Sequence, residues 1–141
     1  IIRILKRKFE LPTPIQMQII PIGLQRKDCI GIAPTGSGKS LAFLIPIIHF
    51  LMTDKMLGKS NVNENSVLIE STGPLALVLA PTRDLAQQIE EEFKKIANLL
   101  SYELKSVCVI GGKDIDEQYS NLIKGVDLVV GAPGRIKDCI K

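Results

Sequence analysis

The chain has 141 residues, a length that suits one domain, and 45% of them are hydrophobic, which supports a buried core and excludes a disordered chain. Lys and Arg number 18 against 15 Asp and Glu, and the formal net charge of +3 is too mild to demand a polyanionic partner. Aromatic residues make up only 4%, with no Trp, so RNA readers that stack bases on surface rings are disfavoured.

The segment ahead of Cys29 carries Pro12, Pro14 and Pro21 and reads as a short helix either side of a proline turn. Cys29 to Ala33 reads as a first strand that runs into a glycine-rich turn. Lys39 to Met52 reads as an apolar helix, with Pro46 expected to kink it. Thr53 to Gly73, where Asn61, Asn63 and Asn65 alternate with other residues, is expected to be a long mobile surface loop. Leu75 to Ala80 is apolar at every position, as in a strand buried on both faces.

The helix expected over Asp84 to Leu100 sets Leu85, Ile89, Phe93, Ile96 and Leu100 on one stripe. Its Glu90–Lys94 and Glu91–Lys95 pairs, spaced i,i+4, read as a solvated face. Ser106 to Ile110 is the next strand, Asp114 to Lys124 a helix, and Asp127 to Val130 a last strand. Strands and helices in this alternation predict an α/β fold with βαβ crossovers and a mostly parallel central sheet flanked by helices.

Cys29, Cys108 and Cys139 are far apart and odd in number, so they read as reduced thiols and not as a disulfide or metal framework. Ile1 to Leu5 begins no long apolar signal region. The longest apolar run, Leu41 to Met52, falls short of the about 18 residues that a membrane span needs. A soluble protein with no membrane partner is expected.

The strongest chemical signal is Ala33-Pro34-Thr35-Gly36-Ser37-Gly38-Lys39-Ser40, set between an expected strand and an expected helix. Glycines there let the backbone curl around a phosphate with its N–H groups inward, and the following helix adds its positive end. Lys39 is placed to reach the β- and γ-phosphates and the Ser40 hydroxyl to sit on Mg²⁺. Ala33 stands where a strict Walker pattern has Gly. An ordinary glycine-rich turn with an exposed lysine is the bland alternative, and the strand–turn–helix context counts against it.

The loop is one of a series. Phe9-Glu10-Leu11-Pro12-Thr13-Pro14-Ile15-Gln16 precedes it. Pro81-Thr82-Arg83-Asp84-Leu85-Ala86, Gly111-Gly112 and Ala132-Pro133-Gly134-Arg135 follow in that order. The series resembles the N-terminal RecA-like domain of the DEAD-box RNA helicases over nearly the whole chain. Ile20 to Gln25, Ala42 to Pro46 and Gln87 to Glu92 are most similar to the members that act in pre-mRNA splicing.

The resemblance implies a RecA-like P-loop domain that uses ATP and Mg²⁺. It implies that Gln16 reads the adenine edge, with Phe9, Thr13 and the neighbouring prolines placing it. The phosphate loop, Pro34, Thr35, Gly36, Ser37, Gly38, Lys39 and Ser40, would hold the nucleotide, with Lys39 and Ser40 also the catalytic pair. Pro81, Thr82, Arg83, Gly111, Gly112, Pro133, Gly134 and Arg135 would contact the RNA sugar-phosphate backbone without reading sequence. Ala132 stands where the family has Thr, which puts one RNA contact in doubt. Spliceosomal proteins as partners, a monomeric state and a nuclear location are further implications.

Hydrolysis needs a carboxylate to hold Mg²⁺ and orient the attacking water. The strands end in Ala80-Pro81, Gly111-Gly112 and Gly131-Ala132-Pro133, none of them acidic, and Asp116-Glu117 falls in a helical pattern. The family's Asp-Glu-Ala-Asp strand comes shortly after the Pro-Gly-Arg motif. Residues 1–141 are therefore expected to be a RecA-like domain incomplete at its C-terminal end, without that motif or the second RecA-like domain. Another P-loop protein, a small kinase or a nucleotide-gated binding module, is the alternative. A kinase would need an arginine-rich lid, and Arg83 and Arg135 already lie in the motifs above.

Overall fold

The structure is a computed structural model that describes residues 11–60, 73–100 and 103–140. Helix α1 spans Pro14–Leu24 and α2 spans Lys39–Ser60. They are followed by strand β1 (Ala76–Leu79), α3 (Arg83–Leu99), β2 (Ser106–Val109), α4 (Ile115–Ile123), β3 (Leu128–Gly131) and α5 (Pro133–Ile140). The strands form one parallel sheet in the order β1-β3-β2. Val130 of β3 sits opposite Val78 of β1 on one side and Cys108 of β2 on the other. This is the α/β architecture that the alternating pattern implies.

Central β3 is buried along its whole length, because neighbours flank both edges and helices cover both faces. On one face Leu128 and Val130 pack with Phe93 of α3 and with Leu44, Ile48 and Leu51 of α2. On the other, Val107, Val109 and Val129 pack with Ile136 of α5 and partly buried Leu122 of α4. Phe93 is fully enclosed, a burial that stabilises by about 1.5–3 kcal/mol. Thr82 caps α3, its Oγ1 accepting from the Leu85 N–H at 3.3 Å, so the turn after β1 starts the helix with one orphan donor satisfied.

Several expectations are corrected. Cys29 to Ala33 forms no strand; among the described residues no strand pairs with it, and Ile30 and Ile32 are each 91% exposed. Apolar composition alone does not make a strand without a ladder partner. Leu75 to Ala80 is not buried throughout, since β1 is an edge strand whose Leu77 and Leu79 lie open on the face that α4 and α5 leave uncovered. Only α1 stands before Cys29 among the described residues, with Pro14 at its first turn and Pro21 inside it; the residues ahead of Leu11 lie outside them.

The loop expected from Thr53 is helix as far as Ser60, and residues 61–72 lie outside the described ones. Thr53 Oγ1 donates back to the His49 carbonyl at 2.8 Å. Lys55 Nζ donates to Asp127 at 2.7 Å and to the Glu103 carbonyl, so tertiary contacts extend α2 past its apolar run. Glu90 is not on the solvated face. It is buried, paired with Lys94 at 2.7 Å and accepting from Ser106 Oγ at 3.2 Å. Helix α5 begins inside the Pro-Gly-Arg motif, where the sequence pattern predicts no element.

Candidate nucleotide and RNA site

The phosphate loop is shaped by two glycines in the left-handed region, Gly36 at φ +79° and Gly38 at φ +87°. The Ser37 N–H donates to the Pro34 carbonyl at 3.3 Å, which closes the turn. Lys39 Nζ folds back over it and donates to the carbonyls of Ala33 at 2.6 Å and Pro34 at 2.7 Å. An ammonium has three donors, so one remains for an incoming anion. Helix α2 starts at Lys39 and aims its N-terminal end at the loop.

Helix α1 holds the loop from the side. The Thr13 N–H donates to Gln16 Oε1 at 3.1 Å, and Gln16 Nε2 donates to the Gly38 carbonyl at 3.1 Å. Gln16 is buried, and a Cβ on Gly38 would clash with its amide nitrogen, so only glycine leaves room for this bridge. Two buried side-chain oxygens have no partner among the described residues, and both belong here: Thr13 Oγ1 and Ser37 Oγ. Ser40 lines a cavity of about 360 Å³ between α1, α2 and α3, together with Ile15, Ile19, Phe43, Leu85 and Ile89. Pro34, Thr35 and Gly36 are exposed; Phe9 lies outside the described residues.

The other predicted residues gather at a second place. Three parallel strands end on the same side of the sheet, so the segments after β1, β2 and β3 converge there. Pro81, Thr82 and Arg83 are exposed at the first of these. The Arg83 guanidinium lies across the second, where a Cβ on Gly111 would stand 3.1 Å from Nη2 and one on Gly112 2.9 Å from Nη1. Gly112 has φ +85°, so its need for glycine is conformational as well as steric. Arg135 Nη1 donates to the Lys113 carbonyl at 3.1 Å and ties the third segment to the second, with Pro133 and Gly134 exposed beside it.

Sequence reasoning missed Lys113, an exposed cation directly after Gly111-Gly112 that lines a groove between α3 and α4. Among the described residues no group of three His, Cys, Asp or Glu could hold a metal ion, and no helix is long and apolar enough to cross a membrane.

A family model described as DEAD/DEAH box helicase matches residues 13–141. The chain belongs to that family. It is 43% identical over 136 residues to a DEAD-box ATP-dependent RNA helicase 21 of Oryza sativa, an alignment that covers 96% of this chain and 17% of that protein. It is 44% identical over 133 residues to a pre-mRNA-splicing ATP-dependent RNA helicase prp-28 of Neurospora crassa, covering 94% and 17%. Among solved structures it is similar to the helicase Prp28 of Chaetomium thermophilum bound to ADP, with TM-score 0.72, 42% identity, and coverage of 99% of this chain and 31% of that one. A DEAD box protein of Methanococcus jannaschii gives TM-score 0.74 at 36% identity, covering 98% and 33%. The chain thus spans about a sixth of the curated relatives it matches.

Proposed function

We propose that this chain is the nucleotide-binding portion of an ATP-dependent RNA helicase that remodels RNA in pre-mRNA splicing, in the nucleus and with spliceosomal proteins as partners. The observation that carries the reading is the pair of orphaned hydroxyls, Thr13 Oγ1 and Ser37 Oγ, at a loop whose glycines hold the left-handed conformation. Buried hydroxyls without partners are costly, and a phosphate or nucleotide edge at this place would satisfy them. The ADP-bound relative and the splicing relatives support the same reading.

In it, the backbone N–H groups of the loop other than that of Ser37, which closes the turn on Pro34, and the free donor of Lys39 take the phosphates of ATP. Mg²⁺ prefers octahedral oxygen ligation completed by water and phosphate, so the Ser40 hydroxyl fits it as a single protein ligand. Bound Mg²⁺ would supply charge neutralisation on the phosphates. Gln16 keeps one amide hydrogen and one lone pair beyond its bonds to Gly38 and Thr13, which is what reading an adenine edge requires. Arg83 and Arg135 with the Gly111-Gly112 backbone would grip the sugar-phosphate chain of RNA at the strand ends, as a monomer and without base readout.

The domain is completed, in this reading, by an acidic strand of the Asp-Glu-Ala-Asp type. Apolar Leu77 and Leu79 of β1, and Ile30 and Ile32, lie exposed where such a strand would find cover. The test of the nucleotide site is calorimetry with ATP–Mg²⁺ and ADP on the wild type and on Lys39→Ala. The variant should bind about tenfold or more weakly, as expected for loss of a charge-assisted contact. Unchanged affinity would sink the assignment.

A further inference from the structure

Among the described residues strand β2 is the second edge of the sheet, and no strand pairs with its outer side. Lys105 and Val109 give their carbonyls to Leu128 and Ala132 of the β3 segment, so alternation points the N–H and C=O of Ser106, Cys108 and Ile110 the other way. Ile110 is already met there by a side chain. Its N–H donates to Gln118 Oε1 and its carbonyl accepts from Gln118 Nε2, both at 3.1 Å. The buried Gln118 amide thus copies, at one position, what a neighbouring strand would do along the whole edge.

Beyond Gln118 the edge of Ser106 and Cys108 faces a groove of about 650 Å³ between α3 and α4. Four lysines line it, Lys94, Lys105, Lys113 and Lys124, against two carboxylates, Glu90 and Glu117, and Glu90 is already paired with Lys94. Lys105, Lys113 and Lys124 are exposed. We infer that this groove is a docking site for an extended acidic peptide of a protein partner, which adds a strand to β2 and places its carboxylates among these lysines.

A peptide fits the groove better than RNA does. The edge offers alternating donors and acceptors, which only another peptide backbone can match. A phosphate chain has acceptors alone, so it would leave the carbonyls of Ser106 and Cys108 unmet. Lysines beside an edge strand can also serve merely to ward off strand pairing, and the experiment separates that role from docking.

The probe is a fluorescein-labelled Glu-Val-Glu-Val-Glu-Val peptide, followed by anisotropy on the full-length protein. Saturable binding is expected, about tenfold or more weaker when alternate peptide amides are N-methylated, and likewise for a Lys113→Glu/Lys124→Glu variant with wild-type thermal melting. The N-methyl arm uses wild-type protein and stands even if the variant misfolds. The inference is overturned by no saturable binding up to about 1 mM, a weak-affinity ceiling. It is equally overturned by indifference to N-methylation, or by single-stranded oligo(U) displacing the peptide from the same lysines.

Discussion

Cys108 shows how much one residue's role depends on its surroundings. By sequence it is one of three unremarked thiols; in the structure it is buried in β2 beside Glu90, while Cys29 is exposed. Burial, and next the Glu90 carboxylate, push its thiol above the ordinary value. The folded state therefore holds the proton more tightly than the unfolded chain does. This stabilisation is complete below the ordinary thiol pKa of about 8.5 and is lost as pH rises through the elevated one. Denaturant titrations should show stability declining above about pH 8.5 more steeply in the wild type than in Cys108→Ala, by at most about 1.4 kcal/mol per pH unit. Iodoacetamide should modify Cys29 well before Cys108; equal rates would contradict the burial. Gln16 teaches a related lesson, for its identity drew attention by resemblance, yet its bridge from Thr13 to Gly38 became visible only once α1 and the loop were set side by side.

At the scale of elements, helix α3 was the most legible. Its stripe of Ile89, Phe93 and Ile96 repeats at the helical period and is buried as that period predicts. Glu90 lies next to the stripe and was misread, because periodicity does not reveal that Ser106 and Lys94 would satisfy a carboxylate there. Helix α5 was unread because its eight residues are too few to show a period. Its docking makes a steric demand on β3. A Cβ on Gly131 would stand 2.6 Å from Ile136 Cδ1 and 2.6 Å from the Val109 carbonyl oxygen, and that backbone atom cannot step aside. Gly131→Ala should cost about 1–3 kcal/mol in chemical denaturation, a typical overpacking penalty. Gly134→Ala, with nothing within 4 Å, should be neutral or slightly stabilising. Similar behaviour of the two variants would contradict the packing of α5 on the sheet.

Across the whole molecule, parallel pairing in the order β1-β3-β2 brings Arg83, Gly111-Gly112, Lys113 and Arg135 to one end of the sheet. Lys55 of α2 fastens the opposite end through Asp127 and Glu103. The strand ends at the site, Ala80-Pro81, Gly111-Gly112 and Gly131-Ala132, supply no carboxylate to orient an attacking water. The 141 residues by themselves should therefore bind nucleotide without RNA-stimulated ATP turnover above background. A coupled phosphate-release assay with and without poly(U) checks this, and robust turnover would refute it.

The sequence by itself determined the phosphate loop, the motif series and the helical stripe of α3. All of these are written in local spacing, which chain chemistry converts directly into conformation. Tertiary structure decided the rest: that Cys29 to Ala33 has no ladder, that α2 runs on to Ser60, that Glu90 is buried and that β2 leaves an open edge. Those outcomes depend on which segments meet in space, and pairing between distant residues leaves no periodic trace in the chain. The length first suggested one ordinary domain. Among the described residues the structure now shows what that length encloses: a glycine-rich loop with two left-handed glycines, an arginine-lined strand end and an unpaired edge.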